Sequence, residues 1–432
     1  MGTESRPKFV DKQNIVVFVF VVSLFMMWGM AITMGDVLNK HFQNVLHISK
    51  SSSGLIQLSI FGAYAVMAIP AGLFMGRFGY KHGVILGLLL YATGAFLFIP
   101  ASELASFLFF RVALFILACG LATLEAVAHP FIAALGDERT SDQRMNFAQG
   151  FNSLGGVVGP LLGSYFFFHN EQGQLGDLVA VKNLYLAIGI VISAIAVIFS
   201  FLKINIPCQS NTKTSNNTLT GTGISKSKLI SQKHFIFAVI AQLFNVAAQG
   251  GTWAYFINYG HDVMHYSDAS SAHFFSLSIF FMMIGRFAGT LLMQRIRPNL
   301  LLSVFAMANI VMCILVAQGL GWVSFSALIM INFFFSIMFP TIFSLGIKDL
   351  GKDTQHASSF LVMGVVGGAI FPPLMGLIAN NSVPQAYYLP IICYIVIAAF
   401  GLSYKYFKPS NFSLQQASEN KSYIHSSQRQ VQ

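Results

Sequence analysis

Long apolar runs separated by short polar connections make up most of this chain. A helix of about 20 mainly apolar residues is needed to cross a hydrocarbon layer of about 30 Å. The runs are long enough to predict six spans on each side of a polar stretch in the middle of the chain. The predicted spans lie near 14–38, 54–75, 82–101, 104–135, 147–169, 183–203, 234–260, 271–293, 299–318, 322–347, 355–379 and 386–407.

Two polar segments divide and close this pattern. The stretch 204–233 includes SNTKTSNNTLTGTGISKSK, whose Ser, Thr, Asn, Gly and Lys content predicts a flexible linker. The stretch from 408 is also polar and predicts a disordered tail. We therefore expect an all-α membrane protein with an N-terminal half at 1–203, a linker at 204–233, a C-terminal half at 234–407 and a tail at 408–432.

The two halves resemble one another in sequence. HPFIAALGD at 129–137 and FPTIFSLGIKD at 339–349 share P-x-I-x-x-L-G at an offset of 210 residues. GGVVGPLLG at 155–163 resembles GGAIFPPLMG at 367–376 at an offset of 212. AGLFMGRFGYK and AGTLLMQRIR, which follow the second and eighth spans, form a third pair. Three matches in register indicate two pseudo-symmetric six-helix halves that arose by duplication.

Composition and charge agree with a membrane protein. Only 9% of residues are charged, whereas a soluble domain carries about 25%. The net charge of +10 does not indicate a nucleic-acid partner, because the basic residues are spread over short connections. With the N-terminus inside, 20 of the 25 Lys and Arg fall on inner segments. Only Lys40, Lys50 and Lys182 fall outside, which predicts that both termini are cytoplasmic.

Several function classes have no support in the sequence. The four cysteines contain no CxxC pair, and three of them lie in apolar spans, so neither a disulfide framework nor a metal site is predicted. No HExxH, GxSxG or P-loop motif indicates a membrane-embedded enzyme, and we expect no cofactor. The first span is too long for a signal-peptide core, so we expect it to remain in the mature protein.

Two carboxylates, Asp36 and Glu125, lie inside apolar spans, whereas the other thirteen acids fall in tails or polar connections. A carboxylate at this depth costs about 2.5–3.5 kcal/mol on insertion scales, and such groups commonly carry protons through membrane proteins. For Asp36 the alternative is a structural ion pair with Arg111 on the fourth span. For Glu125 the alternative is an acid that snorkels to the inner end of its helix. The pattern favours a proton-coupled transporter.

Polar side chains on two further spans predict a binding site. Gln242, Asn245, Gln249 and Trp253 recur on the seventh span every three or four residues, which places them on one helical face. Amides and an indole suit the hydroxyls and apolar face of a sugar, and the Gly250-Gly251 pair predicts a helix break at the site. Helix–helix hydrogen bonding is the alternative. The other candidates are Tyr255 and Asn258 on the same span, Gln149 and Asn152 on the fifth, and Trp28, which faces either the cavity or lipid.

The segment GLFMGRFGYK resembles the loop signature that follows the second helix in the Major Facilitator superfamily. Gly76 stands where that signature usually has an acid. The resemblance implies twelve helices in two halves that rock about a central site. It assigns conformational roles to Gly72, Arg77, Gly79 and Lys81, and, at the corresponding place in the second half, to Arg286 and Arg295.

A longer resemblance covers nearly the whole chain. GLATLEAVAHPFIAALGDE, RMNFAQGFNSLGGVVGPLLG and FPTIFSLGIKDLGKDTQHASSFLVMGVVGGAIFPPLMG are similar to the fucose/galactose/glucose:proton symporter branch of that superfamily. The resemblance implies that Asp36 carries the coupling proton and that Glu125, in L-E-x-x-x-x-P, takes part in both sugar binding and coupling. The chain departs from the branch at Ile32, Thr33 and Gly35, which replace asparagines, and at His129, which replaces Asn before Pro130. We expect these changes to alter which sugar hydroxyls are recognised.

We therefore expect a secondary transporter that imports a monosaccharide of the fucose, galactose or glucose type with a proton. The expected location is the bacterial inner membrane, where the chain contacts lipid and acts as a monomer. A proton-independent or exchange transporter of another small polar solute, or a solute sensor that does not transport, is the alternative.

Overall fold

The computed structural model describes residues 9–10, 12–136, 141–168, 173–202, 232–293, 295–348, 350 and 354–407. Every long element in these ranges is a helix. The long helices of the first half are Ile15–Val45, Leu55–Phe96, Phe107–Ala133, Ser141–Phe168 and Gly173–Phe201. Those of the second half are Lys233–Ala254, Phe256–Asp262, Asp268–Met293, Pro298–Ala317, Trp322–Phe335, Met338–Ile347, Thr354–Met363, Gly367–Ala379 and Leu389–Phe407. Short turns of helix lie at Lys12–Asn14, Lys50–Ser53, Phe98–Glu103, Gly364–Val366 and Val383–Ala386.

These helices supply the twelve predicted spans. Ten stretches of the described chain are long and apolar enough to cross a membrane. One of them contains both the second and third spans, because Leu55–Phe96 is continuous except at Gly79, whose φ of 84° and ψ of 171° interrupt the helix. A positive φ of this size favours glycine, so Gly79 is the residue that lets the chain reverse there. Ser141–Phe168, which is rich in glycine and carries Gln149, Asn152 and Ser153, is the remaining span.

Some boundaries differ from the prediction. The first helix continues past the predicted end at residue 38 to Val45. Its last turns contain Asn39, Lys40 and His41, which are polar but buried. The Asn39 side chain donates to the Ala254 carbonyl oxygen at 2.7 Å, so packing against the second half keeps this polar segment helical.

Three spans of the second half contain breaks that the corresponding helices of the first half lack. The seventh span is interrupted at Tyr255, which lies a turn beyond the predicted Gly250-Gly251 break. The tenth is interrupted at 336–337, and the eleventh contains the 3₁₀ turn Gly364–Val366. Short 3₁₀ segments within a helix often mark hinges.

Each half has a large hydrophobic cluster, and a small third cluster joins them. The first consists of residues from the first six spans together with Ile257 and Ala272. The second is drawn from the seventh to twelfth spans, with Ile32 and Val157 packed at its edge. The third contains Phe61, Val246 and Ala369, so it lies where the second span meets the seventh and eleventh. The domain boundaries stay a prediction, and residues 204–231 and 408–432 of the predicted linker and tail lie outside the described residues.

The two ends of the helix bundle are named here by residues that lie there. The Lys50 end holds the connection 46–54 between the first and second spans, and the Arg77 end holds the turn at Gly79. Polar contacts join the two halves at the Lys50 end. The Lys50 ammonium lies 2.6 Å from the Asp262 carboxylate, and the Asn44 amide donates to Asp268 at 2.6 Å.

Candidate functional site

Asp36 lies on the first span and faces the second, with only 3% of its surface exposed. Its Oδ1 accepts a hydrogen bond from Nε2 of Gln57 at 2.5 Å, and Gln57 is also buried. Within the described chain no ion pair joins Asp36 to Arg111. The Arg111 guanidinium instead lies over the Phe107 ring, 5.9 Å from its centroid. The carboxylate therefore has a neutral partner, and the structural ion pair considered as the alternative is not formed.

Glu125 lies deeper in the first half, next to two aromatic side chains. The Tyr64 hydroxyl is hydrogen-bonded to Glu125, and Nε1 of Trp28 donates to the same hydroxyl at 2.5 Å. Trp28 and Glu125 line one small cavity together with Phe25 and Leu124. Trp28 thus faces the interior, and Glu125 is partnered inside the bundle rather than snorkelling to its end.

One face of the second span contacts both acids. Gln57 and Tyr64 are seven residues apart, which is about two helical turns, so they project from the same side of the helix. Gln57 reaches Asp36, and Tyr64 reaches Glu125. The sequence prediction included neither residue, because a single amide and a single tyrosine in an apolar helix form no periodic pattern.

The predicted polar residues of the fifth span lie beside Glu125, together with His129 of the fourth span. His129 follows Glu125 by one turn, and its Nε2 lies 3.1 Å from Nε2 of Gln149. The Asn152 amide donates to the Phe25 carbonyl oxygen at 3.0 Å. The Phe25 ring also lies 5.2 Å from that of His129. We call this group the Glu125 cluster; its members are Trp28, Tyr64, Glu125, His129, Gln149 and Asn152.

The predicted residues of the seventh span do not form one site. Trp253 is buried in the second half, where its Nε1 donates to Oδ1 of Asn332 at 2.8 Å. The Asn332 amide donates in turn to the Ser278 hydroxyl at 2.8 Å. The Phe275 ring packs against the indole edge-to-face at 5.9 Å. In this structure the indole is a packing residue of the seventh, eighth and tenth spans.

Tyr255 and Asn258 lie at the Lys50 end and contact the first half. The Tyr255 hydroxyl lies 2.9 Å from the Lys50 carbonyl oxygen and 2.8 Å from that of Pro372. Asn258 exchanges hydrogen bonds with Gln43, at 2.5 Å and 3.3 Å. These side chains close one end of the bundle, on the opposite side of the Gly250-Gly251 pair from Asn245.

The remaining amides of the seventh span have no partner in the described part of the chain. Gln242 and Asn245 are fully buried, and neither the oxygen nor the nitrogen of either amide is hydrogen-bonded. Gln249 is partly buried. An unsatisfied buried polar group costs about 1–3 kcal/mol, so amides of this kind are candidates to bind a ligand or water.

The predicted conformational residues lie mostly at the Arg77 end. Arg77 lies over the Phe78 ring at 5.3 Å, and the Lys81 ammonium donates to the Leu202 carbonyl oxygen at 2.9 Å. Gly72 lies in the second span, with open space beside it, and Arg295 is exposed.

Arg286 is different, because it lies inside the helix Asp268–Met293 and its Nη1 donates to Ser153 of the fifth span at 2.9 Å. The helix continues for nearly two turns beyond Arg286, so it lies within the span rather than in the connection, and its conformational role stays a prediction.

No group of three or more potential metal ligands is present among the described residues. Cys119, Cys313 and Cys393 are free, and Cys208 lies outside the described ranges.

Comparison with known proteins places the fold in a family. The family model described as Major Facilitator Superfamily matches residues 17–366, which is most of the chain. The chain belongs to the Major Facilitator Superfamily. It is an integral membrane protein of a transporter family rather than an enzyme, and the predicted resemblance is confirmed.

Curated relatives within the Major Facilitator Superfamily match almost end to end. The chain is 34% identical over 410 residues to the L-fucose-proton symporter of Escherichia coli (strain K12), with 90% of this chain and 93% of the relative covered. It is 32% identical over 384 residues to the glucose/galactose transporter of Brucella abortus biovar 1 (strain 9-941), with 88% and 92% covered.

Solved structures of the Major Facilitator Superfamily share this architecture. The crystal structure of the transporter FucP in the outward conformation matches with a TM-score of 0.69 and 33% identity, covering 91% of this chain and 99% of that one. A crystal structure of a D-xylose-proton symporter matches with a TM-score of 0.71 over 91% of this chain and 97% of that one. At 11% identity, the second match concerns the fold alone.

Proposed function

We propose that this chain imports a monosaccharide together with a proton by alternating access. The main support is the pair of acids inside the bundle, Asp36 and Glu125, each hydrogen-bonded to a neutral side chain of the same second-span face. Relatives named as an L-fucose-proton symporter and a glucose/galactose transporter support the substrate class. A carboxylate without a fixed counter-ion can change its protonation state without leaving a buried cation unpaired.

Asp36 is the proposed proton carrier. It lies nine residues before the end of its helix at the Lys50 end, closer to that end than Glu125. The excess of Lys and Arg near the Arg77 end supports a cytoplasmic location for that end and for both termini. Asp36 then takes its proton from the outside when the Lys50 end opens.

The Glu125 cluster is the proposed sugar site of the first half. Its carboxylate and amides can exchange hydrogen bonds with hydroxyls, and the Trp28 indole provides an apolar face for the ring. Asn245 and Gln249 are the proposed amide contacts of the second half, since the amide of Asn245 is buried without a protein partner in the described chain and Gln249 lies one turn further along the same helix and is partly buried. Trp253 stabilises the packing inside the second half, and Tyr255 and Asn258 close the outer end. Gly72, Arg77, Gly79, Lys81 and Arg295 take part in the rocking of the halves at the inner end.

The proposed setting is the inner membrane of a bacterium. Apolar side chains on the outside of the bundle, such as Leu73 and Phe201 with exposed fractions of 71% and 80%, suit contact with lipid tails. One chain supplies both halves and the site between them, so a monomer is sufficient for transport.

Uptake by the purified protein in proteoliposomes tests this proposal. The vesicles receive radiolabelled L-fucose, D-galactose or D-glucose, with and without an inward proton gradient. We expect accumulation of at least one sugar above its external concentration, and loss of accumulation on adding a protonophore. Equilibration without accumulation would favour the proton-independent or exchange alternative, and binding without movement would favour a sensor.

A further inference from the structure

Arg286 is a partly buried cation with almost no protein partners in the described chain. Its Nη1 donates to the Ser153 hydroxyl, while its Nε is buried and has no hydrogen bond. Within the described ranges no carboxylate lies within ion-pair distance of it. A guanidinium carries five N–H donors, and burying them without acceptors is costly. The side chain therefore has donor capacity that the protein does not use.

Arg286 lies at the depth of the Glu125 cluster, on the other half. Glu125 follows Phe107 by eighteen residues and Arg286 follows Asp268 by eighteen, and both helices begin at the Lys50 end. At 1.5 Å per residue, both side chains start about 27 Å along their helices. Equal depth on opposing halves is the placement expected for two walls of one site.

A chain of polar contacts leads from Arg286 to that cluster. Ser153, its partner, follows Gln149 by one turn, and its hydroxyl donates to the Gln149 carbonyl oxygen at 3.1 Å. The Gln149 amide contacts His129, which is one turn from Glu125. Arg286 thus borders the cluster from the second half, while Trp253, Tyr255 and Asn258 of that half are bonded elsewhere.

We propose that Arg286 is a substrate-contacting residue that determines specificity, donating hydrogen bonds to a hydroxyl of the monosaccharide. This inference rests on the proposed function. A neutral polyhydroxyl ring suits a site between Glu125 and Arg286, because Glu125 is an acceptor, Arg286 is a donor and a hydroxyl serves as both. The planar fork of a guanidinium can also contact two adjacent hydroxyls, which an ammonium cannot do in the same geometry.

The test measures sugar affinity of the detergent-purified full-length protein by titration calorimetry. The best-bound sugar of the uptake panel is compared with its singly deoxygenated analogues in the wild type, Arg286→Met and Arg286→Lys. Methionine removes every donor, and lysine keeps the charge but not the fork. Arg297→Gln is the matched control, because Arg297 is exposed in the following connection.

We expect Arg286→Met to lose about tenfold to a hundredfold in affinity for the parent sugar, the range for a hydrogen bond from a charged donor. The loss should disappear for the one analogue that lacks the contacted hydroxyl, and Arg286→Lys should lose less. A purely structural role would weaken all analogues equally, and that result, or unchanged affinity, would overturn the inference. A salt bridge to Glu125 as the main role of Arg286 would also give equal losses.

The failure of this inference can be told from failure of the proposed function. If the wild type binds no monosaccharide, the proposed function fails. If the wild type binds and accumulates a sugar while Arg286→Lys and Arg286→Met keep its ranking of analogues, only the role of Arg286 fails. Should Arg286→Met not fold, the same comparison is made with Arg286→Lys alone.

Discussion

The Gln57 side-chain amide donates to Asp36 at 2.5 Å, in a place where an ion pair with Arg111 was the alternative. This relationship matters because a neutral partner leaves the charge of the acid free to change. An acid locked to an arginine would leave an unpaired buried cation each time it took up a proton. The amide instead stabilises the carboxylate by one hydrogen bond and carries no charge of its own.

Removing the Gln57 amide should move the pH dependence of uptake. In Gln57→Leu the charged carboxylate loses its donor while the protonated form loses less, so the protonated carrier persists to higher pH. We expect the pH optimum of sugar accumulation to shift upward, with the affinity for sugar at low pH largely kept. Uptake measured across a pH series in proteoliposomes checks this. Gln318→Leu, which removes an exposed amide bonded to Tyr388, should leave the profile in place; a Gln57→Leu profile that matched it would contradict this role.

Glu125 and Tyr64 should act as a unit in sugar binding. Glu125→Gln removes the charge, and Tyr64→Phe removes the hydroxyl that bridges the carboxylate and Trp28. We expect each change to weaken sugar binding and to reduce its pH dependence. The double variant should lose less than the sum of the single losses, since residues in one hydrogen-bond network couple by about 0.5–3 kcal/mol. The sugar affinities of the wild type, both single variants and the double variant measure this coupling. Strictly additive losses would show that the two residues act separately.

The Lys50–Asp262 pair should hold the Lys50 end closed. The pair spans the two halves at 2.6 Å and is partly exposed, with 23% and 31% of the side chains accessible. A pair of this kind contributes about 0.2–1 kcal/mol, so Lys50→Asp or Asp262→Lys should raise the open fraction by about 1.4- to fivefold. The readout is the rate at which an impermeant thiol reagent labels Ser53→Cys, a position that is fully buried here, in a background free of native cysteines.

Restoration by the charge-swapped pair is the control for that experiment. Lys50→Asp combined with Asp262→Lys should bring the labelling rate back toward that of the unswapped protein. If the two single variants and the double variant all label at the rate of the unswapped protein, the Lys50–Asp262 pair does not hold the Lys50 end closed.

Much of the fold was predictable because the membrane fixes the length and polarity of a span. The length of the apolar runs located all twelve helices, and the positive φ at Gly79 lies in a segment that the sequence already marked as a loop. The polar end of the first helix was not predictable, since Asn39 is satisfied there by a bond to Ala254 of the other half, which is far away in sequence.

The site was predictable only in part, because contacts between residues far apart in sequence decide which polar side chains are available. Helical spacing placed Trp253 on a polar face, but it could not say that Asn332, 79 residues away, covers that face. Gln57 and Tyr64 were missed because each acts through a partner on another span. Glu125, Gln149 and Asn152 were chosen as polar residues in apolar helices, and the structure brings them together with His129, which the sequence marked only as a departure from the family pattern.

Sugar-induced proton movement is the measurement that tests proton coupling through Asp36 most directly. Proteoliposomes with a pH-sensitive dye inside receive sugar without any imposed gradient, and Asp36→Asn is compared with the wild type. Glu103→Gln is the matched control, because Glu103 is an exposed acid at the surface. We predict internal acidification for the wild type and for Glu103→Gln. Asp36→Asn, which resembles the protonated form, should bind and slowly exchange sugar without acidification. Acidification by Asp36→Asn at the wild-type rate would contradict the account.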